Sequence, residues 1–154
     1  MLTEDEKREI EAKLMHYPEK QAACVEVLKI IQRNRRWISD ESIRDIAEIL
    51  AMTPDEVDNV ASFYNLIYRK PVGKHVIHYC DSVSCWIMGY ECLLERLSSR
   101  LSIKPGDTSD DGNFTLLPIV CLGACDHAPA IMIDGELYGN VDREDIDEIL
   151  NKYE

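Results

Sequence analysis

The sequence predicts an α/β chain, with an N-terminal bundle of short helices followed by a small α/β sandwich of order β-α-β-β-β-α. Three observations predict it. Apolar residues recur at helical spacing through residues 1–70, and helix-start signals punctuate them. Beyond His75, short strand-like runs alternate with a single long helical stripe. With 154 residues, 45% of them hydrophobic, the chain is large enough to bury a core for one domain, or for one small domain with a helical appendage.

Taken in order, Thr3-Glu-Asp-Glu6 forms a capping box ahead of Ile10, Leu14 and Tyr17. Pro18 is placed to open a second helix, with Ala23, Val27, Ile30 and Ile31 on one face. Ser39 can cap a third, carrying Ile43, Ile46, Ala47 and Leu50. Thr53-Pro-Asp-Glu56 combines a capping box with proline at the first helical position, and opens a fourth helix through Val57, Val60, Ala61 and Tyr64. Asn65 to Gly73 reads as the linker. It divides the chain into a helical part, residues 1–71, and a second part, residues 72–154.

In the second part Val76–Tyr79 reads as a strand, and Trp86 to about Ser102 as one helix with Leu93, Leu94, Leu97 and Leu101 along its apolar stripe. Gly89 lies inside that helix. Lys104-Pro-Gly-Asp107 and Asp110-Asp-Gly-Asn113 are turns. Phe114–Val120 is a buried strand. Ala130–Ile133 and Glu136–Tyr138 flank Asp134-Gly135, a hairpin signal. Asp142 is placed to cap a last helix carrying Ile146, Ile149, Leu150 and Tyr153.

The chemistry is concentrated in two cysteine pairs. Cys80 and Cys85 form C-x4-C directly after the first strand, and Cys121 and Cys125 form C-x3-C directly after the second. Two strands that end in cysteine loops can bring four thiolates to one point, the ligand set of a metal ion or an iron–sulfur cluster. Structural zinc usually takes a C-x2-C knuckle, and neither pair has that spacing. The longer loops suit a wider two-iron core, leaving zinc as the alternative. Disulfides need an oxidising compartment, to which nothing in the sequence points. Cys24 and Cys92, each within a helical pattern, read as core residues. His127 completes Cys125-Asp-His127, but with two full cysteine pairs the imidazole is not needed as a ligand. His78 reads as a strand residue, and His16 and His75 as surface. Asp81 and Asp126, each next to a site cysteine, read as solvated loop residues. Gly123 lets main-chain amides approach the site. Pro129, just ahead of a strand, is compatible with a cis or a trans bond.

The strings YCDSVSCWIMGY (79–90) and LLPIVCLGACDHAP (116–129) resemble the thioredoxin-like 2Fe-2S ferredoxin family. Leu28–Gln32, Val60-Ala-Ser-Phe-Tyr64 and Lys70-Pro-Val-Gly-Lys-His75 extend the resemblance to about residues 8–153. It implies a helical bundle followed by a thioredoxin-like domain holding one 2Fe-2S cluster on Cys80, Cys85, Cys121 and Cys125. It also implies an electron-transfer subunit of respiratory complex I, the NADH:quinone oxidoreductase. FMN and NADH are then held by a larger partner subunit, which the helical part clasps, alongside further complex I subunits. The equivalent subunit of an NAD-linked hydrogenase or formate dehydrogenase is the alternative within this class, and a zinc-stapled adaptor is the alternative outside it.

Composition sets bounds on the rest. The formal net charge is −12, from 29 acidic and 17 basic residues, which argues against binding nucleic acid or an anionic membrane. The start, Met1-Leu-Thr-Glu-Asp-Glu6, lacks the basic and apolar regions of a signal peptide, and no apolar run approaches a membrane span. The expectation is a cytoplasmic protein, peripheral to the inner membrane only through its complex. The sequence carries no GxGxxG, Walker loop or nucleophile elbow, so no NADH or flavin site of its own is expected.

Overall fold

Polar caps and apolar stripes divide the first part of the chain into helices at the places where local chemistry demands a start. A computed structural model describes residues 1–153. Helix α1 (Glu4–Leu14) opens on the Thr3/Glu6 capping box, with both reciprocal hydrogen bonds formed. Helix α3 (Asp40–Leu50) opens on Ser39, whose hydroxyl accepts from the Ser42 N–H. Helix α4 (Pro54–Phe63) opens on the Thr53/Glu56 box with proline at its first turn. Helix α2 is different. Pro18 does not open it: a 3₁₀ turn, Lys20–Ala23, comes first, and α2 runs Cys24–Arg35. No side chain caps the N-terminus of either segment, so the tighter 3₁₀ hydrogen bonds carry the chain into the helix. Tyr64 falls outside α4 and is exposed, as is Phe63.

The chain falls into two compact units, Met1–Pro71 and the part from Val72 onwards. In the first, Ile10, Leu28, Ile31, Ile38, Ile46 and Leu50 are fully buried in one core. Arg35, at the C-terminal end of α2, ties this unit together. Its guanidinium donates to both oxygens of Glu6 at 2.8 and 2.7 Å, to Ser42 Oγ at 3.2 Å and to the Met1 carbonyl at 3.1 Å. The Glu6 side chain is only 3% exposed. Arg35 beside it holds the carboxyl below its ordinary value, against the cost of burial. Arg69 does the same work for residues 65–71, which lack helix or strand. It bonds Asp58 at 2.6 Å and Asp40 at 2.7 Å, and also donates to the Ile38 carbonyl.

The second unit is a four-stranded sheet of order β2-β1-β3-β4, built from β1 (His75–Cys80), β2 (Phe114–Ile119), β3 (Ile131–Ile133) and β4 (Glu136–Tyr138). β1 and β2 are parallel, and β3 runs antiparallel to both β1 and β4. Parallel neighbours need a crossover, and the segment carrying α5 (Val83–Ile87) and α6 (Tyr90–Leu101) supplies it. Ile77, Leu116, Ile131 and Ile133 of the sheet form one core with Leu93 and Leu97 of α6 and with Ile146 and Leu150 of α7 (Asp145–Leu150). Arg96 of α6 pairs with Asp147 of α7.

Four sequence expectations are corrected in this unit. The helix expected from Trp86 to Ser102 is two helices, because Gly89 adopts φ +88 and caps α6 instead of continuing α5. Asp142 does not cap α7, which starts at Asp145 after a turn closed by the Asp145 N–H on the Asp142 carbonyl. Cys92 is exposed, because the inward stripe of α6 runs through Leu93 and Leu97 and position 92 lies one step off it. His75 is not a surface residue. Its side chain is 14% exposed, lies 2.5 Å from Asp134 and packs on Phe114 and Tyr153. Cys24, by contrast, is buried in the helical core, in line with its sequence pattern.

Glu6→Ala is expected to destabilise the helical unit by about 3 kcal/mol in urea unfolding, since it leaves Arg35 without its partner and breaks a capping box. The pH dependence has a definite sign. The Glu6 carboxyl is depressed in the folded chain, so its contribution is complete above the ordinary value of 4.5 and is lost as pH falls below that through the folded value. The stability gap between wild type and Glu6→Gln should therefore be constant near neutrality and narrow below pH 4.5.

Candidate iron–sulfur centre

β1 and β2 run side by side in the same direction, so their C-terminal ends finish at the same edge of the sheet. The register pairs Cys80 with Ile119, and the Asp81 N–H donates to the Ile119 carbonyl at 3.1 Å. Each strand then runs straight into its cysteine segment. Cys80 is the last residue of β1, and Cys121 follows β2 by two residues. Cys85 lies within α5 and Cys125 begins a short 3₁₀ turn, Cys125–His127.

The two pairs have opposite exposures. Cys80 and Cys85 are buried, at 3% and 2%, in a small cluster with Ala128 and Ala130. Cys121 and Cys125 are exposed. The Cys121 and Cys125 sulfurs lie 3.8 Å apart. Tetrahedral coordination with metal–sulfur bonds of about 2.3 Å holds two sulfurs about 3.8 Å apart, so this pair already stands at chelating distance. Cys85 and Cys80 are within hydrogen-bonding reach of each other, and Cys125 also feels the charge of Cys80 from the other pair. Burial, with Cys80 alongside, pushes the Cys85 thiol up to about 11. Cys121 likewise raises Cys125. As free thiols these groups resist ionisation. A bound cationic centre reverses that, since coordination deprotonates a thiol outright. Among the described residues no group of three or more His, Cys, Asp or Glu is placed to hold a single metal ion. The thiols stand two and two, an arrangement that fits a centre with two metal atoms.

A main-chain donor is fixed at one of the exposed sulfurs. The Gly123 N–H donates to Cys121 Sγ at 3.3 Å. The Ala130 carbonyl accepts from the Cys80 N–H at 3.2 Å, which ties the chain ahead of β3 to the first cysteine. A donor such as the Gly123 N–H favours the thiolate form and raises the reduction potential of an iron–sulfur centre.

The second cysteine loop is strapped from outside. The Asn140 N–H donates to the His127 carbonyl at 2.6 Å, and the Val141 N–H to the Pro129 carbonyl at 3.1 Å. Gly139 makes this close approach possible: a Cβ there would stand 2.6 Å from His127 Cβ and 3.0 Å from the His127 carbonyl. The Ala128–Pro129 bond is cis, so the trans alternative does not hold. His127 is exposed and lies 3.0 Å from Asp126, itself a solvent-exposed loop residue. His78 is buried in β1, and burial pushes it down to about 4. The sequence gives no warning of Ala130 or Gly139. An alanine just ahead of a strand and a glycine after a hairpin carry no signal by themselves, and each matters only through a residue distant in sequence.

The thioredoxin-like 2Fe-2S ferredoxin family matches residues 10–154. The chain is 46% identical over 152 residues to the E subunit of NADH-quinone oxidoreductase from Escherichia coli (strain K12), covering 99% of this chain and 92% of that protein. It is 43% identical over 153 residues to the protein of the same name from Pseudomonas aeruginosa, with the same coverage of 99% and 92%. Among solved structures, it resembles an NAD+-reducing NiFe-hydrogenase in the air-oxidised state, with TM-score 0.65 and 26% identity over 73% of this chain. The chain spans 20% of the hydrogenase chain's length. The H2-reduced form gives TM-score 0.72 over 85% of this chain at 24% identity, a likeness of fold. Because the match runs through the helical unit and the sheet alike, the whole chain, and not its cysteine-bearing half alone, belongs to the thioredoxin-like 2Fe-2S ferredoxin family.

Proposed function

We propose that this chain is the 2Fe-2S electron-transfer subunit of an NADH:quinone oxidoreductase, with Cys80, Cys85, Cys121 and Cys125 as the cluster ligands. The observation that carries the assignment is the convergence of two cysteine pairs at one sheet edge, one pair at chelating distance, in a chain 46% identical to a named component of such an enzyme. When bound, a 2Fe-2S cluster accepts and returns single electrons. The protein's own part is to hold four thiolates, to keep Cys80 and Cys85 from water, and to leave the Cys121/Cys125 side open for electron exchange with a partner. Thiolate is the preferred ligand for iron–sulfur centres, and the family match favours this reading over a zinc-stapled adaptor. The likeness to the NAD+-reducing hydrogenase supports a second reading, the equivalent subunit of an NAD-linked hydrogenase.

In both assemblies the cluster exchanges electrons with the flavin of a flavin- and NADH-binding partner subunit, which the helical unit, residues 1–71, clasps. The exposed Phe63 and Tyr64 rings at the end of α4, stacked edge to face at 5.3 Å, mark an apolar part of that unit suited to such a contact. The site of action is the cytoplasmic side of the inner membrane, reached through the complex. No helix among the described residues is long and apolar enough to cross a membrane.

Replacing any one of the four cysteines by serine should abolish or strongly alter the visible and EPR spectra, while Cys24→Ala and Cys92→Ala leave them unchanged. A normal cluster in Cys125→Ser would sink the ligand assignment. The purified chain should oxidise no NADH with any acceptor until the flavin-binding partner is added, and saturable NADH binding to the chain alone would overturn that division of labour. Deleting residues 1–70 should leave a spectroscopically normal cluster and abolish co-purification with the flavoprotein. Retained full-affinity binding would refute the docking role.

A further inference from the structure

Burial alternates along the second cysteine loop. Cys121, Gly123 and Cys125 are exposed, while Leu122 and Ala124 between them are half-buried. Leu122 and Ala124 pack against the small buried cluster that holds Cys80 and Cys85. Tyr90 packs against the same cluster from the crossover. It is the first residue of α6, directly after Gly89 turns the chain. Its ring stacks on Tyr79, with centroids 6.1 Å apart and planes 10° apart. Tyr79 is itself buried and is the residue before Cys80 in β1. Apolar side chains from both cysteine segments therefore meet at the buried pair.

We propose that Leu122 and Tyr90 are positioning residues of the centre, together forming an apolar cover that keeps water from Cys80 and Cys85. This rests on the proposed ligand set. Leu122 lies between the two ligands of one pair and packs over the ligands of the other. The loop that supplies the exposed thiolates is thus also the lid of the buried ones. The apolar shell around a metal site controls solvent access and local dielectric, and through them the potential. A reduced cluster carries one more negative charge than an oxidised one, and an apolar surround stabilises that charge less than water does. The cover therefore holds the potential down, in opposition to the Gly123 N–H on Cys121. It also slows loss of the cluster to a chelator, which must reach the metal–thiolate bonds through it.

The test compares the full chain carrying its cluster in wild type, Leu122→Ala, Leu122→Met, Tyr90→Ala and Tyr90→Phe. Methionine and phenylalanine keep the apolar volume, and alanine removes it. The measurements are the rate at which EDTA bleaches the visible absorption, the deuterium modulation of the reduced cluster's EPR echo in D2O, and the ratio of reduced to oxidised cluster at a fixed applied potential. Both alanine variants should bleach several-fold faster than wild type, show deeper deuterium modulation and give a several-fold higher ratio. A tenfold change in that ratio corresponds to about 59 mV for one electron. The methionine and phenylalanine variants should stay close to wild type. Alanine variants with a full cluster and wild-type deuterium modulation would overturn the proposal, whatever their bleaching rate. So would a Tyr90→Phe chain that behaves like Tyr90→Ala, since the role would then belong to the hydroxyl. If either alanine variant assembles no cluster, the smaller truncations Leu122→Val and Tyr90→Leu decide in its place: deeper modulation than wild type supports the cover, and wild-type modulation overturns it. A wild-type chain with no 2Fe-2S signal would refute the ligand set itself, a different failure from any of these.

Discussion

The centre depends on the parallel pairing of β1 with β2. An antiparallel pair would send its two C-terminal ends to opposite edges of the sheet, and the cysteine loops would be a strand length apart. With Cys80 level with Ile119, both loops leave from one edge and the four thiols need only a few residues of chain to meet. Parallel pairing in turn requires the crossover through α6, which pins Leu93 and Leu97 against the sheet. The core of the second unit thus exists in the form that the site requires, and the hydrophobic side chains that stabilise it also fix where the sulfurs stand.

The third strand finishes the arrangement. Ala130, just ahead of β3, accepts from the Cys80 N–H and packs in one buried cluster with Cys80 and Cys85, so the chain beyond β1 is joined to the buried pair. The chain after β4 then holds the second loop through Asn140 and Val141, an approach that Gly139 allows because a side chain there would collide with His127. One pair of cysteines is dry and the other wet. Exposed Val83, Trp86, Ile87, Met88 and Val120 flank these cysteines in sequence, an apolar setting of the kind that partner surfaces cover.

The helical unit is organised by different physics. Its core is aliphatic, but the helix ends are joined by two arginines. Arg35 binds Glu6, Ser42 and the Met1 carbonyl, and Arg69 binds Asp58, Asp40 and the Ile38 carbonyl. Each draws three acceptor groups from separate stretches of chain to one planar guanidinium, whose fixed fork of donors suits the task better than a lysine's single ammonium. In a chain of net charge −12, such points of convergence relieve part of the like-charge repulsion within the unit.

What the sequence determined by itself is local. Capping boxes at Thr3 and Thr53, the Ser39 cap, the two-residue Asp134-Gly135 turn and the apolar stripes are decided within a few residues, and each stands in the structure where the pattern places it. The placing of the two cysteine pairs after two strands was legible too, and both pairs follow parallel neighbours in the sheet. Where local signals were weak, tertiary structure decided. Pro18 yields to a 3₁₀ turn, Gly89 splits one predicted helix into two, Cys92 turns outward and His75 turns inward against Asp134, Phe114 and Tyr153. The order β2-β1-β3-β4, the unequal burial of the two cysteine pairs, and the contacts of Ala130 and Gly139 all join residues from separate segments of the chain. Such contacts follow from chain packing, and no pattern read along a single segment contains them.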